Sequence, residues 1–257
     1  MKEPAAGIVG TGLIGGSVGM RLRRNGGFVV GYDPDSGALA RALAIGAIDM
    51  AATRDELYAQ ASTVVIAAHV NETIAELERL KNENAIRATL ILDVASVKRP
   101  IVDAAEGIAD FVATHPMAGR ERSGVDAGRP DLFEAKTWAY VPSGDARRDA
   151  RARAFVASLG AAPLAVDPDE HDRIVALTSH ALQALAWAFE ARAKTRDPDL
   201  LHALAGNAAR ELVRLGNSPF PMWREILAAN APNAAPELRA LGAALIRCAE
   251  AIESGTL

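Results

Sequence analysis

The 257-residue chain has a single cysteine, Cys248, so no intrachain disulfide can form and a reducing compartment fits. Neither electropositive neighbours nor a glycine turn accompany that thiol, which reads as a small apolar residue on the last helix rather than a nucleophile. No apolar run approaches the ~18 residues of a membrane span. The opening MKEPAAGIVG enters a strand at once and leaves no room for a signal peptide, so a cytoplasmic location is expected. Positive charge is also short. Lys and Arg number 28 against 32 Asp and Glu, a net charge of −4 with a pI near 5.8; neither nucleic acid nor an anionic membrane is an expected partner. The five histidines are scattered without the spacing of a ligand set, and no metal is expected. Half of the residues are apolar and 23% charged, the balance of an ordinary globular protein long enough for one large or two modest domains.

What is present is an alternation of apolar runs and helical patterns. Residues 5–9, AAGIV, run into Gly10-Thr11-Gly12-Leu13-Ile14-Gly15-Gly16. Residues 13–24 then predict a helix stopped at Asn25-Gly26-Gly27, and FVVGY at 28–32 ends in Asp33-Pro34. Strand, glycine turn, helix, strand is the βαβ unit of a dinucleotide-binding fold. Helices are expected at 38–45, 72–82, 98–107 and 145–159, and strands at TVVIAA (63–68), TLILDV (89–94) and FVATH (111–115). TWAYVPS (137–143) and APLAV (162–166) are expected to close the sheet. Unbroken apolar strands between helices mean a parallel sheet covered on both faces.

The pattern changes at Pro168. Alanine- and leucine-rich helical stretches run to the C-terminus, separated by TRDPD (195–199), NSPFP (217–221) and NAPNAAP (230–236). The expected class is therefore α/β, with a Rossmann-type domain over residues 1–166 and an all-helical domain over 167–257. Alanine-rich helices with few aromatics rarely stand alone at this size, so dimerisation through them is expected.

Three glycines have distinct tasks. Gly10 allows the tight turn, Gly12 lets a pyrophosphate approach the backbone, and Gly15 lets helix pack on strand. The phosphates sit at the positive end of the helix opening at Leu13 and Ile14. Asp33, at the end of the second strand, is placed to accept hydrogen bonds from ribose hydroxyls, which favours NAD over NADP because a carboxylate repels a 2′-phosphate. His115, before Pro116 at a strand end, is a candidate proton acceptor with an ordinary pKa near neutrality. Ser96 lies between a strand and a helix, where it suits either the reaction or a helix N-cap. Lys98 reads as a residue on the helix surface or behind the site.

The blocks GTGLIGGSVG (10–19), DVASVK (93–98), HPMAGRERSG (115–124) with Asp131-Leu132-Phe133 beyond, EHDRIVALTSH (170–180) and RLGNSPFPMWREILAAN (214–230) resemble, in this order, the prephenate/arogenate dehydrogenase family over nearly the whole chain. The resemblance implies a homodimer joined through the helical domain. It also implies oxidative decarboxylation of prephenate to 4-hydroxyphenylpyruvate, or of arogenate to tyrosine, with hydride transfer to NAD. His115 matches the family's catalytic histidine, and Ser96 the serine that hydrogen-bonds the same substrate hydroxyl and the nicotinamide end of the cofactor. Arg214 matches the arginine that holds a substrate carboxylate, with Arg210 as the fallback, and Trp223 a tryptophan near the substrate. His180 resembles the first histidine of the family's SHLPH segment.

Two departures stand out: Ser179-His180-Ala181-Leu182-Gln183 lacks the segment's proline and second histidine, leaving Gln183 to offer an amide, and Ala209-Arg210-Glu211 replaces the usual Phe-Arg-Asp. His171 reads as structural and His202 as helix surface, while His69 lies near the expected cofactor edge. Two rivals compete. A β-hydroxyacid-type dehydrogenase needs a lysine in the first helices of the second domain, and Lys194 is the only lysine after residue 136. A catalytically silent nucleotide-binding module fits the missing histidine but not the intact Ser96 and His115.

Overall fold

The computed structural model describes residues 6–82, 87–119 and 123–256. Ala5 of the first apolar run and Arg120-Glu121-Arg122 of the HPMAGRERSG block lie outside the described residues. The chain divides into two compact units, Met1–Asp169 and Glu170–Leu257.

In the first unit, β1 (Ala6–Val9) leads through the glycine turn to α1 (Leu13–Arg24), and β2 (Val29–Tyr32) follows. Then come α2 (Ser36–Ala44), β3 (Met50–Ala51), α3 (Arg54–Gln60), β4 (Thr63–Ile66), α4 (Val70–Leu80), β5 (Leu90–Asp93), α5 (Arg99–Ala104) and β6 (Phe111–Val112). These strands form one parallel sheet in the order β3-β2-β1-β4-β5-β6. The order reverses between β1 and β4, the place where such sheets open a ligand crevice at their carboxyl ends. β1 and β5 are buried at every residue, and β4 at all but its first, as a sheet covered on both faces requires.

Sequence reading leaves the stretch between 46 and 62 unassigned, although α3 opens on a capping box. The Thr53 hydroxyl accepts from the Glu56 amide while the Glu56 carboxylate accepts from the Thr53 amide.

The remaining strands correct the expected sheet. FVATH is not one strand: β6 stops at Val112, and β7 (Thr114–Pro116) belongs to a second sheet. There β7 runs antiparallel to β8 (Thr137–Tyr140), which after α6 (Ala146–Ser158) pairs in parallel with β9 (Ala162–Ala165). TWAYVPS and APLAV thus build a separate three-stranded sheet instead of closing the first. On its middle strand Trp138 is fully buried, its ring 4.9 Å from that of Phe133. Apolar content alone predicts burial and is silent about which strand is the neighbour.

The second unit is helical: α7 (Pro168–Val175), one wide π-helical turn at Ala176–Ala181, α8 (Leu182–Ala193), α9 (Pro198–Leu204), α10 (Asn207–Gly216), α11 (Phe220–Ala229) and α12 (Ala231–Ser254). NAPNAAP, expected as a loop, is the start of α12. Pro232 sits in the first turn, where its missing N–H has no partner to lose, and Pro236 sacrifices a single backbone bond inside a long alanine-rich helix. Among the described residues no helix is long and apolar enough to cross a membrane.

Candidate active site

Local geometry makes the first loop an anion cradle. Gly10 has φ +88°, and a Cβ there would stand 2.4 Å from the Ala67 carbonyl oxygen. A Cβ on Gly15 would stand 2.0 Å from the Gly10 oxygen, so only glycine lets α1 approach β1 this closely. At Gly12, by contrast, a Cβ would meet nothing within 4 Å. Gly12 is the N-cap of α1 and brings no side chain to cover the first amides, which belong to Leu13 and Ile14. Open space in front of uncapped amides at a helix start fits a diphosphate.

Asp33 closes the cradle. Its Oδ2 accepts from the Thr11 amide (2.7 Å) and Thr11 hydroxyl (3.0 Å), and its Oδ1 accepts from the Asp35 amide (3.0 Å). A carboxylate has about four acceptor positions, so one remains for a ribose hydroxyl. Asp35 in turn caps α2 by accepting from the Gly37 and Ala38 amides, placing a second carboxylate beyond the second strand. His69 is the exposed N-cap residue of α4.

Ser96 and His115 are both half-buried, and both lie beyond the carboxyl ends of parallel strands: Ser96 after β5, and His115 just past β6. Ser96 is not a helix cap; Lys98 occupies that place, with Pro100 in the first turn of α5. Nor is Lys98 on a surface. It is completely buried, its Nζ 2.5 Å from Asp93 Oδ2 and 2.6 Å from the Thr114 carbonyl oxygen. Asp93 also accepts from the Ala95 amide (2.8 Å) and the Thr114 amide (2.7 Å). Burial pushes the Asp93 carboxyl above the ordinary carboxylate value, against the pull of the Lys98 ammonium and the two amides. Asp93 and Thr114 carry no expectation from sequence; the signal for the pair is an acid and a lysine five residues apart at a strand end.

In the helical unit, His180 lies in the π turn at 1% exposure. Asn230 Nδ2 donates to the Asp172 carbonyl (2.8 Å) and faces His180 Nδ1 at 3.1 Å, which makes Nδ1 the acceptor and leaves the ring proton on Nε2. Burial lowers the His180 pKa to about 4, opposed by Asp172, so the ring is neutral at physiological pH. Gln183, also buried, donates to the Leu215 carbonyl at 2.8 Å. Trp223 is half-buried and stands edge-on to His180 and to Trp187, with centroids 6.0 and 6.5 Å apart. Its indole Nε1 has no hydrogen-bond partner among the described residues. Arg214 is exposed and forked onto Glu211, one turn back on α10, with Nε–Oε2 at 2.8 Å. Arg210 is exposed on the same helix. His171 is buried against Asp172, with Nδ1–Oδ1 at 2.8 Å, and His202 is exposed on α9. Sequence reading missed Asn230, although it closes the RLGNSPFPMWREILAAN block.

Known proteins share this plan. Residues 18–163 match the family model of the prephenate dehydrogenase nucleotide-binding domain, and residues 167–257 that of the prephenate dehydrogenase dimerization domain. A probable prephenate dehydrogenase of Streptomyces niveus is 36% identical over 241 residues, covering 91% of this chain and 65% of that protein. The prephenate dehydrogenase of Bacillus subtilis is 30% identical over 236 residues, covering 87% and 63%. The chain thus spans a little under two thirds of the length of these curated relatives. The structure of A. aeolicus prephenate dehydrogenase in complex with hydroxyphenyl propionate and NAD+ superposes with a TM-score of 0.88 at 26% identity, covering 99% of this chain and 92% of the other. With family models matching both units, this chain belongs to the prephenate dehydrogenase family.

Proposed function

We propose that the protein oxidises and decarboxylates prephenate to 4-hydroxyphenylpyruvate with NAD as hydride acceptor. The observation that carries the reading is that the uncapped glycine turn and Ser96 follow the carboxyl ends of parallel strands, while His115, three residues past β6, sits in β7 of the same unit. NAD supplies the hydride acceptor when bound. The Gly12, Leu13 and Ile14 backbone holds its diphosphate, Gly10 and Gly15 give the turn its shape, and Asp33 accepts a ribose hydroxyl. Asp33 and Asp35 on the strand end favour NAD, since two carboxylates repel a 2′-phosphate.

Ser96 orients the substrate hydroxyl, and His115 takes its proton as the ring carboxylate leaves as CO2 and the ring aromatises. Arg214 offers the planar fork that it now presents to Glu211, the geometry a substrate carboxylate takes. Trp223 offers a ring and an indole donor. His180 and Gln183 act behind them, His180 against the Trp223 ring and Gln183 on Leu215, the neighbour of Arg214. The assembly is a homodimer through the helical unit, where Leu204, Ile246 and Ile252 are exposed at 82%, 62% and 66%; the compartment is the cytoplasm.

The test is the rise of the reduced-nicotinamide absorbance with NAD and prephenate, beside His115→Asn. Turnover with prephenate and a loss of roughly a hundred- to ten-thousand-fold in the variant is expected for a removed general base. Turnover with arogenate alone moves the substrate to the amino acid and keeps the chemistry. Silence with both substrates leaves a nucleotide-binding module.

A further inference from the structure

Between Val112 and Thr114 the chain leaves the parallel sheet, so β7 is held to β5 by something other than a strand ladder. The replacement is a closed set of buried bonds. Asp93 Oδ1 accepts the Thr114 amide, Lys98 Nζ donates to the Thr114 carbonyl, and the Thr114 hydroxyl donates to the Asp93 carbonyl. Every polar group of Thr114 is therefore tied to Asp93 or Lys98, and His115 is the next residue. On the other side, Asp93 Oδ2 takes both the Ala95 amide and the Lys98 ammonium. The six-residue arc from Asp93 to Lys98 is thus closed around Ser96.

We infer that the buried Asp93–Lys98 pair is a positioning device that fixes Ser96 and His115 relative to one another through Thr114. Asp93 and Lys98 are fully buried and Ser96 and His115 half-buried; the pair acts on the reaction through the two residues it suspends. A buried ion pair is poor value as stability, because apolar replacement is often neutral or better. What an apolar pair cannot reproduce is directed bonds to two loops at once. This inference rests on the assignment of Ser96 and His115 in the proposed function.

The experiment compares Lys98→Met with the nearly isosteric double variant Asp93→Asn/Lys98→Met in the full chain. The single variant leaves a buried carboxylate uncompensated and lowers the Tm. The double variant recovers the Tm, yet its kcat stays roughly ten- to a hundredfold down, the cost of a small misplacement of reacting groups. KM for NAD and for prephenate stays close to that of the unaltered protein, because no binding group is touched. A structural role alone would restore kcat together with the Tm.

Thr114→Val keeps the shape and removes one donor, and it is expected to lower kcat by roughly three- to tenfold, one hydrogen bond's worth. A readout free of turnover is the imidazole 15N–1H signal of His115, assigned by its loss in His115→Asn, which shifts in the double variant. A folded double variant with unaltered kcat, an unmoved His115 signal, or a Thr114→Val protein of full kcat each overturns the inference. Full turnover in His115→Asn instead removes the catalytic reading, and the ring signal then still tests the clamp.

Discussion

The two units bury their apolar residues very differently. The nucleotide-binding unit has a continuous core from Ile8 and Val29 through Val65 and Leu92 to Trp138 and Val156, all within 1% of complete burial. Among the described residues, the buried apolar ones of the helical unit are Val175, Ala176, Ala181, Ala186, Ile226 and Ala234, mostly small, while ten of the thirteen exposed large apolar side chains belong to it. Its interior also holds polar contacts, from Asn230 to the Asp172 carbonyl and to His180, and from Gln183 to the Leu215 carbonyl. A parallel sheet with helices on both faces satisfies its own apolar surface. A layer of helices with leucines facing outward does not, and the proposed second copy of the chain would cover them.

The largest effect that sharpens this contrast is in the nucleotide-binding unit. Gly15→Ala forces a Cβ against the Gly10 carbonyl oxygen and should cost about 3 kcal/mol or more, since backbone has nowhere to yield. Gly12→Ala has open space; it should leave the Tm intact and weaken NAD binding, because the methyl stands where the diphosphate approaches. Thermal melts beside NAD titrations separate the two, and equal loss of Tm in both variants would break the reading of the cradle.

The second effect belongs to the helical unit and depends on pH. His180 is neutral when folded, with a pKa of about 4, while its unfolded value is 6.5. Its contribution is complete above pH 6.5 and is lost progressively as pH falls toward 4, since the unfolded chain takes up the proton first. The full loss approaches about 3 kcal/mol for this difference. Asp172 and His171 face the same ring with opposing influence. Denaturant melts from pH 7 to 4 should show the slope, and His180→Asn should flatten it. An unchanged slope in the variant would assign the sensitivity to other groups.

The smallest effect on the single chain, and the sharpest on the comparison, is Ile246→Glu with Ile252→Glu on α12. Both positions are exposed in one chain, so each change should alter folding of a lone chain within about 0.5 kcal/mol. Light scattering should nevertheless show the mass fall to that of one chain. A dimer that survives both charges would place the contact on another helix face.

Much of this was legible locally. The glycine turn, the acid at Asp33 and the alternation through β5 depend on backbone conformations and apolar runs that a few neighbouring residues decide. Thr53 and Glu56 show that even α3 has a local signature. Lys98 was illegible because a lysine after a strand is normally solvated; its burial depends on Asp93 and Thr114 meeting it in space. His180 and Gln183 match substrate-binding positions in sequence; their contacts to Asn230, through Nδ1, and to Leu215, through Nε2, come from residues far along the chain.

The sequence by itself determined the α/β class, the glycine turn and the helical second unit, because each is written in short-range periodicity, turn chemistry or a motif. Only the tertiary structure decided that residues 111–116 divide between two sheets, that 137–140 and 162–165 form a sheet of their own, and that a buried Asp93–Lys98 pair ties the end of β5 to Thr114. Strand partnership and the burial of charge are set by contacts between residues far apart in the chain, which compete for one interior and leave no period in the sequence.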